Sequence, residues 1–337
     1  MAQVFDLLYG TTLRGKSKAI VELVKVLTKQ SGKKARLFIG DGGLATYENA
    51  GLVEARLLDV VEYDAYDFPQ TVLDRMVKGW MPQPVEGANK GKWASVKNED
   101  YILTIFEGAS VLGKYLLGHT KGGYAYRAGQ GELIGNKNDD AVVKVKDESM
   151  PWMGGDGVSM GGNTMSHYRM VQPILLNAIK VSKRLPGWVI WTAHPTETVD
   201  KSEGGKTGDF GKLLGKTLVG PEIGGKAMAD WVSREFGNTL HFDIATKLEA
   251  VQDAVSGRNT KVNDREYRIY TRDHYDPDGN FLTEFRAGNR CPLPEMMPDY
   301  LASEKEEDAG FALVKFYNLM AEAKKIELAK LKALATV

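Results

Sequence analysis

The chain has 337 residues, 43% of them hydrophobic, and its 44 Lys and Arg balance 44 Asp and Glu. This composition excludes a disordered chain, and the zero net charge excludes a molecule-wide field that would draw the protein onto nucleic acid, so any such contact has to be local. The single cysteine excludes an internal disulfide, and neither a zinc-type Cys/His spacing, a membrane-length apolar run nor a signal peptide is found, which predicts a cytoplasmic protein without a membrane contact.

The first predicted elements are a short apolar strand at residues 4–9 and a helix at residues 18–27, with a glycine-rich loop between them. The loop matches the phosphate-binding pattern G-x-x-x-x-G-K-S at every position. Its residues are Gly10, Thr11, Thr12, Leu13, Arg14, Gly15, Lys16 and Ser17.

This loop predicts a nucleotide site, with ATP and Mg²⁺ as cofactors. Backbone N–H groups at the start of a helix bind a polyanion, and Gly10 and Gly15 permit the close approach that a side chain would block. Lys16 is predicted to neutralise the β- and γ-phosphates, and the Ser17 hydroxyl to bind Mg²⁺. The alternative is a glycine turn without a ligand, which the flanking strand and helix disfavour.

Strands and helices then alternate. A second strand is predicted at residues 33–43, with Asp41 and glycines at its end, a third at residues 57–63, and a short helix follows at residues 71–78. Alternation of this kind predicts a mostly parallel sheet in an α/β fold. Residues 81–98, with two prolines and two glycines, are predicted to form a loop.

The next predicted strand, residues 101–106, is apolar and ends in Glu107. A buried strand that ends in an acid is typical of a Walker B element, because the carboxylate reaches the Mg²⁺ shell at the carboxyl edge of the sheet. The alternative for Glu107 is a solvated acid at the end of an ordinary strand.

The rest of the chain is predicted to consist of an insertion, a helix followed by a strand, a long loop, and a mainly β last third that ends in a helix. Residues 121–163 are rich in glycine and are predicted to be an inserted hairpin with a loop, after which a long helix at 167–183 leads to a buried strand at 188–194. Residues 195–216 are predicted to form a long loop. The last third is mainly β, with strands at 240–243, 265–271 and 282–286, and it ends in an amphipathic helix at 303–334 that packs on its own chain or, alternatively, on a partner.

The order of these parts resembles the RecA-like P-loop ATPases of bacteriophages, and in particular the Sak4-like family of single-strand annealing and recombination ATPases. The resemblance covers roughly residues 3–302. It rests on the phosphate loop, on Glu107 where the family usually has Asp, on the polar strand end at residues 192–194, and on residues 286–295, where a basic segment runs into Leu-Pro. It implies a RecA-like core at 1–302, with an antiparallel β extension, and a separate C-terminal helix at 303–337.

The resemblance also implies roles for individual residues. Asp41 is the candidate base that orients the attacking water, with Glu62 and Asp64 as alternatives one strand later. His194 is the candidate group that contacts the γ-phosphate, and its alternative is a purely structural role. The predicted catalytic set is Lys16, Asp41, Glu107 and His194.

The partners implied by the resemblance are single-stranded DNA, further copies of the chain and a phage single-strand binding protein. Residues 153–163 and 195–216 occupy the positions of DNA-contacting loops, with ordinary surface loops as the alternative. Arg286 and Arg290 are candidates for cations donated to a neighbour's site, and the alternative for each is a surface role. The predicted function is Mg²⁺-dependent ATP hydrolysis by a phage protein that acts with single-stranded DNA in recombination or replication. The alternatives are a nucleotide-gated assembly protein without a DNA role and, less favoured, a small-molecule kinase.

Overall fold

The computed structural model describes residues 4–39, 43–62, 73–82, 93–114, 133–135, 141–143, 158–159, 165–199, 217–223, 228, 232–252, 259–272, 284–285, 287–303 and 309–335.

The described residues include five α-helices and sixteen strands with defined bounds, apart from short 3₁₀ turns and a helical segment at residues 109–114. The helices are α1 (Lys16–Ser31), α2 (Leu44–Asn49), α3 (Leu73–Val77), α4 (Met165–Ser182) and α5 (Ala309–Ala335). The strands are β1 (Phe5–Gly10), β2 (Lys34–Ile39), β3 (Leu58–Glu62), β4 (Trp80–Pro82), β5 (Trp93–Ser95), β6 (Tyr101–Glu107), β7 (Leu133–Gly135), β8 (Ala141–Val143), β9 (Val158–Ser159), β10 (Trp188–Ala193), β11 (Pro195–Val199), β12 (Thr217–Pro221), β13 (Asn238–Gln252), β14 (Asn259–Tyr270), β15 (Glu284–Phe285) and β16 (Tyr300–Ser303).

Eight of these strands form one sheet, in the order β16-β14-β13-β1-β10-β6-β2-β3. The six strands from β13 to β3 are parallel to one another, and β14 and β16 extend the sheet in antiparallel fashion. The carboxyl ends of the parallel strands therefore meet at one edge, the edge where α/β proteins bind ligands.

Helices cover both faces of the sheet because its central strands are apolar on both sides. In β1, Leu7 and Tyr9 pack in the core that includes α4, whereas Leu8 packs in the core that includes α1 and α5. Helices α1 and α5 also pack directly against each other. The result is a three-layer α/β fold with β1 near its centre.

The predicted fold class is confirmed. Strand β10 lies between β1, which leads into the phosphate loop, and β6, which ends in Glu107. The mostly parallel sheet, its antiparallel extension and the C-terminal helix are all present.

A buried carboxylate connects the first strand, β1, to the C-terminal helix, α5. Asp6 of β1 accepts hydrogen bonds from the backbone N–H and the side-chain amide of Asn238, and from the Tyr317 hydroxyl of α5, each at 2.9 Å. Burial raises the pKa of Asp6 to about 6, although these donors act in the opposite direction.

Three local predictions were wrong in part. The predicted loop at 81–98 includes the short antiparallel pair β4–β5, and the predicted loop at 195–216 begins with β11, which pairs antiparallel with β12. Ser303, predicted as the first residue of the C-terminal helix, instead ends β16 and pairs with Tyr267 of β14, and the described helix is Ala309–Ala335. Within the predicted insertion, β7, β8 and β9 form a small antiparallel sheet, so the hairpin is confirmed.

Candidate nucleotide-binding site

The phosphate-binding loop connects β1 to α1 at the carboxyl edge of the sheet. Gly10 lies against the backbone of Phe242 in β13, where a Cβ atom would collide with the Phe242 carbonyl oxygen. Gly15 immediately precedes α1 and has a φ of 86°, a left-handed conformation that favours glycine. Both glycines of the motif are therefore required by the backbone.

Lys16 lies within this loop. Its ammonium donates hydrogen bonds to the carbonyl oxygens of Gly10 at 2.6 Å and Thr11 at 2.9 Å, and the residue is only 9% exposed. The tip of the loop faces solvent, since Leu13 is 84% exposed. The loop thus holds one positive charge among its own backbone groups while its outer surface faces solvent.

Arg14 is held against β13. Its Nε donates to the Thr11 hydroxyl at 2.8 Å and lies 3.7 Å from the Asp243 carboxylate. Because both members of the ion pair are about one-third exposed, the pair contributes little stability, but it limits the directions in which Arg14 points.

Glu107 and Ser17 come into direct contact, although 90 residues separate them in sequence. The Ser17 hydroxyl donates to Glu107 Oε1, and Glu107 is 5% exposed at the end of β6. A hydroxyl and a carboxylate beside a phosphate-binding loop are oxygen ligands of the kind that Mg²⁺ takes together with nucleotide phosphates. The predicted pair of metal-binding residues therefore fits Mg²⁺.

A further side chain, Tyr47, reaches the same carboxylate. Its hydroxyl donates to Glu107 Oε2 from the short helix α2, and the residue is fully buried. Tyr47 was not predicted from the sequence, because nothing in the pattern of residues 44–49 indicates that a side chain of this segment reaches the end of β6.

His241 was not predicted either. It lies in β13 opposite Tyr9, and the two rings are 4.6 Å apart. Burial, followed by the charges of Lys16 and Arg14, lowers the pKa of His241 to about 3. His241 is therefore neutral at physiological pH and adds no positive charge beside the phosphate loop.

His194 follows β10 at the same edge. Its neighbour Ala193 pairs with Tyr9, so His194 stands level with the beginning of the phosphate loop. Its N–H donates to the Ser110 hydroxyl at 2.7 Å, and its carbonyl accepts from the N–H of Glu222 at 2.7 Å. The Ser110 hydroxyl in turn donates to the Glu222 carbonyl at 2.5 Å, which joins the segment after Glu107 to the β11–β12 hairpin.

The candidates for the catalytic base are only partly placed. Asp41 and Asp64 lie outside the described residues. Glu62 ends β3 and pairs with Ile39 of β2, which in turn pairs with Glu107. Two inter-strand steps therefore separate the backbone of Glu62 from that of Glu107.

Arg290 lies at the opposite end of β1. Its N–H donates to the Asn238 side chain at 2.9 Å, and Asn238 pairs with Asp6, four residues before Gly10. That separation is about 13 Å along a strand. The backbone of Arg290 is thus held far from the phosphate loop of its own chain, whereas Arg286 lies outside the described residues.

Two other kinds of site are absent from the described residues. No described helix is long and apolar enough to cross a membrane. No three His, Cys, Asp or Glu side chains of the described ranges gather into a metal-binding group.

Comparison with protein-family models and with curated protein sequences gives no match. Comparison with solved structures gives, among others, a KaiC-like protein from the hyperthermophilic archaeon Pyrococcus horikoshii. The match has 10% sequence identity and a TM-score of 0.31, and it covers 81% of this chain and 86% of that one.

Proposed function

We propose that the protein binds ATP at residues 10–17 and hydrolyses it in a Mg²⁺-dependent reaction. The observation that carries this proposal is the contact between Ser17 and Glu107 beside a loop that contains Lys16. Phosphoryl transfer needs positioning and charge stabilisation more than covalent chemistry, and these three groups supply both.

Each group has a distinct part in the proposed reaction. The loop N–H groups and the Lys16 ammonium bind phosphate oxygens, which requires Lys16 to exchange its hydrogen bonds to Gly10 and Thr11 for bonds to the nucleotide. Ser17 and Glu107 hold Mg²⁺, which neutralises charge on the phosphates when it is bound. His194, at the same sheet edge, is the proposed contact of the γ-phosphate, and Asp41 remains the proposed base.

We expect Lys16→Ala to lower ATP turnover at least about a hundredfold, because it removes the cation of the phosphate loop. Phosphate release measured with saturating ATP and Mg²⁺ tests this expectation. Lys18→Ala is the matched control, since Lys18 is an exposed residue of the same helix and is expected to retain turnover. Wild-type turnover in a folded Lys16→Ala protein would overturn the proposed function.

We propose further that hydrolysis is coupled to single-stranded DNA in recombination or replication, as the resemblance to phage RecA-like ATPases implies. The support is the set of hydrogen bonds through Ser110, which connects Glu107's segment to the β11–β12 hairpin and so to residues 200–216, outside the described residues. Stimulation of ATPase activity by single-stranded DNA is the test. No stimulation and no binding at low salt would contradict the coupling.

A second candidate is a nucleotide-gated assembly protein. The observation that favours it is the last part of α5, where Ile326, Leu328 and Leu331 are exposed. Exposed apolar residues on a helix are suited to contact with another protein. ATP-dependent self-association without any response to DNA would favour this candidate over the first.

A further inference from the structure

The carboxylate of Glu107 is held at both oxygens. Ser17 donates to Oε1 and Tyr47 donates to Oε2, from α1 and α2 respectively. The Tyr47 ring is fully buried in the core that includes α1. Packing of the ring therefore fixes the position of its hydroxyl.

This pair of hydrogen bonds fixes a torsion that is otherwise loose. The terminal torsion of a glutamate is broad and roughly twofold, so a carboxylate with a single donor can turn about its last bond. Two donors on different oxygens define the plane of the group. Tyr47 therefore helps to set the orientation in which Glu107 presents Oε1 to Ser17.

We propose that Tyr47 is a positioning residue of the nucleotide site, which holds Glu107 in the orientation required for Mg²⁺. This inference rests on the proposed function. Tyr47 acts on the metal only through Glu107, and it has no part in binding the phosphates. Its removal therefore alters the response to Mg²⁺ and leaves metal-free binding of the nucleotide unchanged.

The same sheet contains a matched control. The Tyr101 hydroxyl donates to the Asp59 carboxylate at 2.8 Å, at the amino end of β6 and so at the other edge of the sheet. Tyr101→Phe removes one tyrosine-to-carboxylate hydrogen bond, as Tyr47→Phe does, but far from the phosphate loop.

The experiment measures nucleotide affinity with and without Mg²⁺, using a fluorescent ATP analogue, together with the Mg²⁺ concentration that gives half-maximal ATP turnover. For Tyr47→Phe we expect this concentration to rise about tenfold, the change expected when a hydrogen bond to a charged group is removed. Affinity in excess EDTA is expected to stay at the wild-type value. Tyr101→Phe is expected to match the wild type in both measurements.

A double-mutant cycle separates positioning from general stability. If Tyr47 acts through Glu107, then Tyr47→Phe has no further effect on Mg²⁺-dependent nucleotide affinity in a Glu107→Ala background. Effects that add in the double variant would overturn the inference, as would an unchanged Mg²⁺ response in Tyr47→Phe alone. Wild-type protein without any Mg²⁺-dependent ATP binding would instead overturn the proposed function, and the inference with it.

Discussion

Glu107 receives hydrogen bonds from two helices while belonging to a strand, and its charge lies almost fully buried. In Glu107→Gln the shape of the side chain is kept, but the charge is removed and one oxygen is replaced by an NH₂ donor. The amide then faces either the Ser17 or the Tyr47 hydroxyl, and it is a weak ligand for Mg²⁺.

We therefore expect Glu107→Gln to lower Mg²⁺-dependent turnover about a hundredfold and to change metal-free nucleotide binding much less. Steady-state kinetics with Mg²⁺ measure the turnover of both proteins, and equilibrium binding in EDTA measures their metal-free nucleotide affinity. If turnover is unaffected, the metal is bound by another acid.

Asp6 predicts a pH dependence of stability. Its pKa rises from 3.8 to about 6 on folding, so the folded state keeps a proton that the unfolded state releases between these values. Its contribution to stability is therefore complete below about pH 4 and disappears as the pH rises through about 6.

We expect the free energy of unfolding of the wild type, measured relative to Asp6→Asn, to fall by up to about 3 kcal/mol between about pH 4 and about pH 7. Urea denaturation of both proteins across this range provides the measurement. If the difference in the free energy of unfolding between the two proteins does not change with pH, then Asp6 titrates in the folded protein as it does in the unfolded chain.

The β11–β12 hairpin is the element through which the proposed DNA contact is tested. Residues 200–216, which join the two strands, contain four lysines, and replacement of all four by Ala should weaken single-stranded DNA binding. The four are Lys201, Lys206, Lys212 and Lys216. The slope of the logarithm of DNA affinity against the logarithm of salt concentration should become shallower by up to about 0.7 for each phosphate that is no longer neutralised. Basal ATPase activity should persist.

A matched control removes four exposed lysines of α5, which keeps the change in net charge the same: Lys324, Lys325, Lys330 and Lys332. This variant is expected to keep the wild-type salt slope. An unchanged slope in the hairpin variant would remove residues 200–216 from the DNA site.

The elements that the sequence predicts well are those whose signal is local. Strand β1, the loop and α1 follow one another within 27 residues, and β6 and β10 are apolar runs buried on both faces. Hydrogen-bonded pairing between strands that are far apart in sequence leaves no such local pattern. Pro195–Val199 is polar and reads as a loop until its partner, Thr217–Pro221, is known.

The same distinction applies to the candidate site. Lys16, Ser17 and Glu107 are predictable because a motif and a strand end mark them. Tyr47 and His241 reach the site through the position of α2 and through the pairing of β13 with β1, and neither is visible in the residues themselves.

At the scale of the whole molecule, we predict self-association favoured by nucleotide. Arg290 is anchored at the amino end of β1, remote from its own phosphate loop, so any role for it in catalysis requires a neighbouring copy. Light scattering over a wide concentration range, with and without a non-hydrolysable ATP analogue, gives the mass directly. A monomer under all conditions would contradict the prediction.

The hydrogen bond between Tyr317 and Asp6 also has a consequence for how the protein is made. At a synthesis rate of about 5–20 residues per second, the 311 positions between these residues take on the order of 15 to 60 seconds to emerge. Throughout that time α1 lacks the helix that covers it, and the Asp6 carboxylate lacks its last donor. The side of the phosphate-loop helix that packs against α5 therefore stays uncovered in the nascent chain until α5 is made.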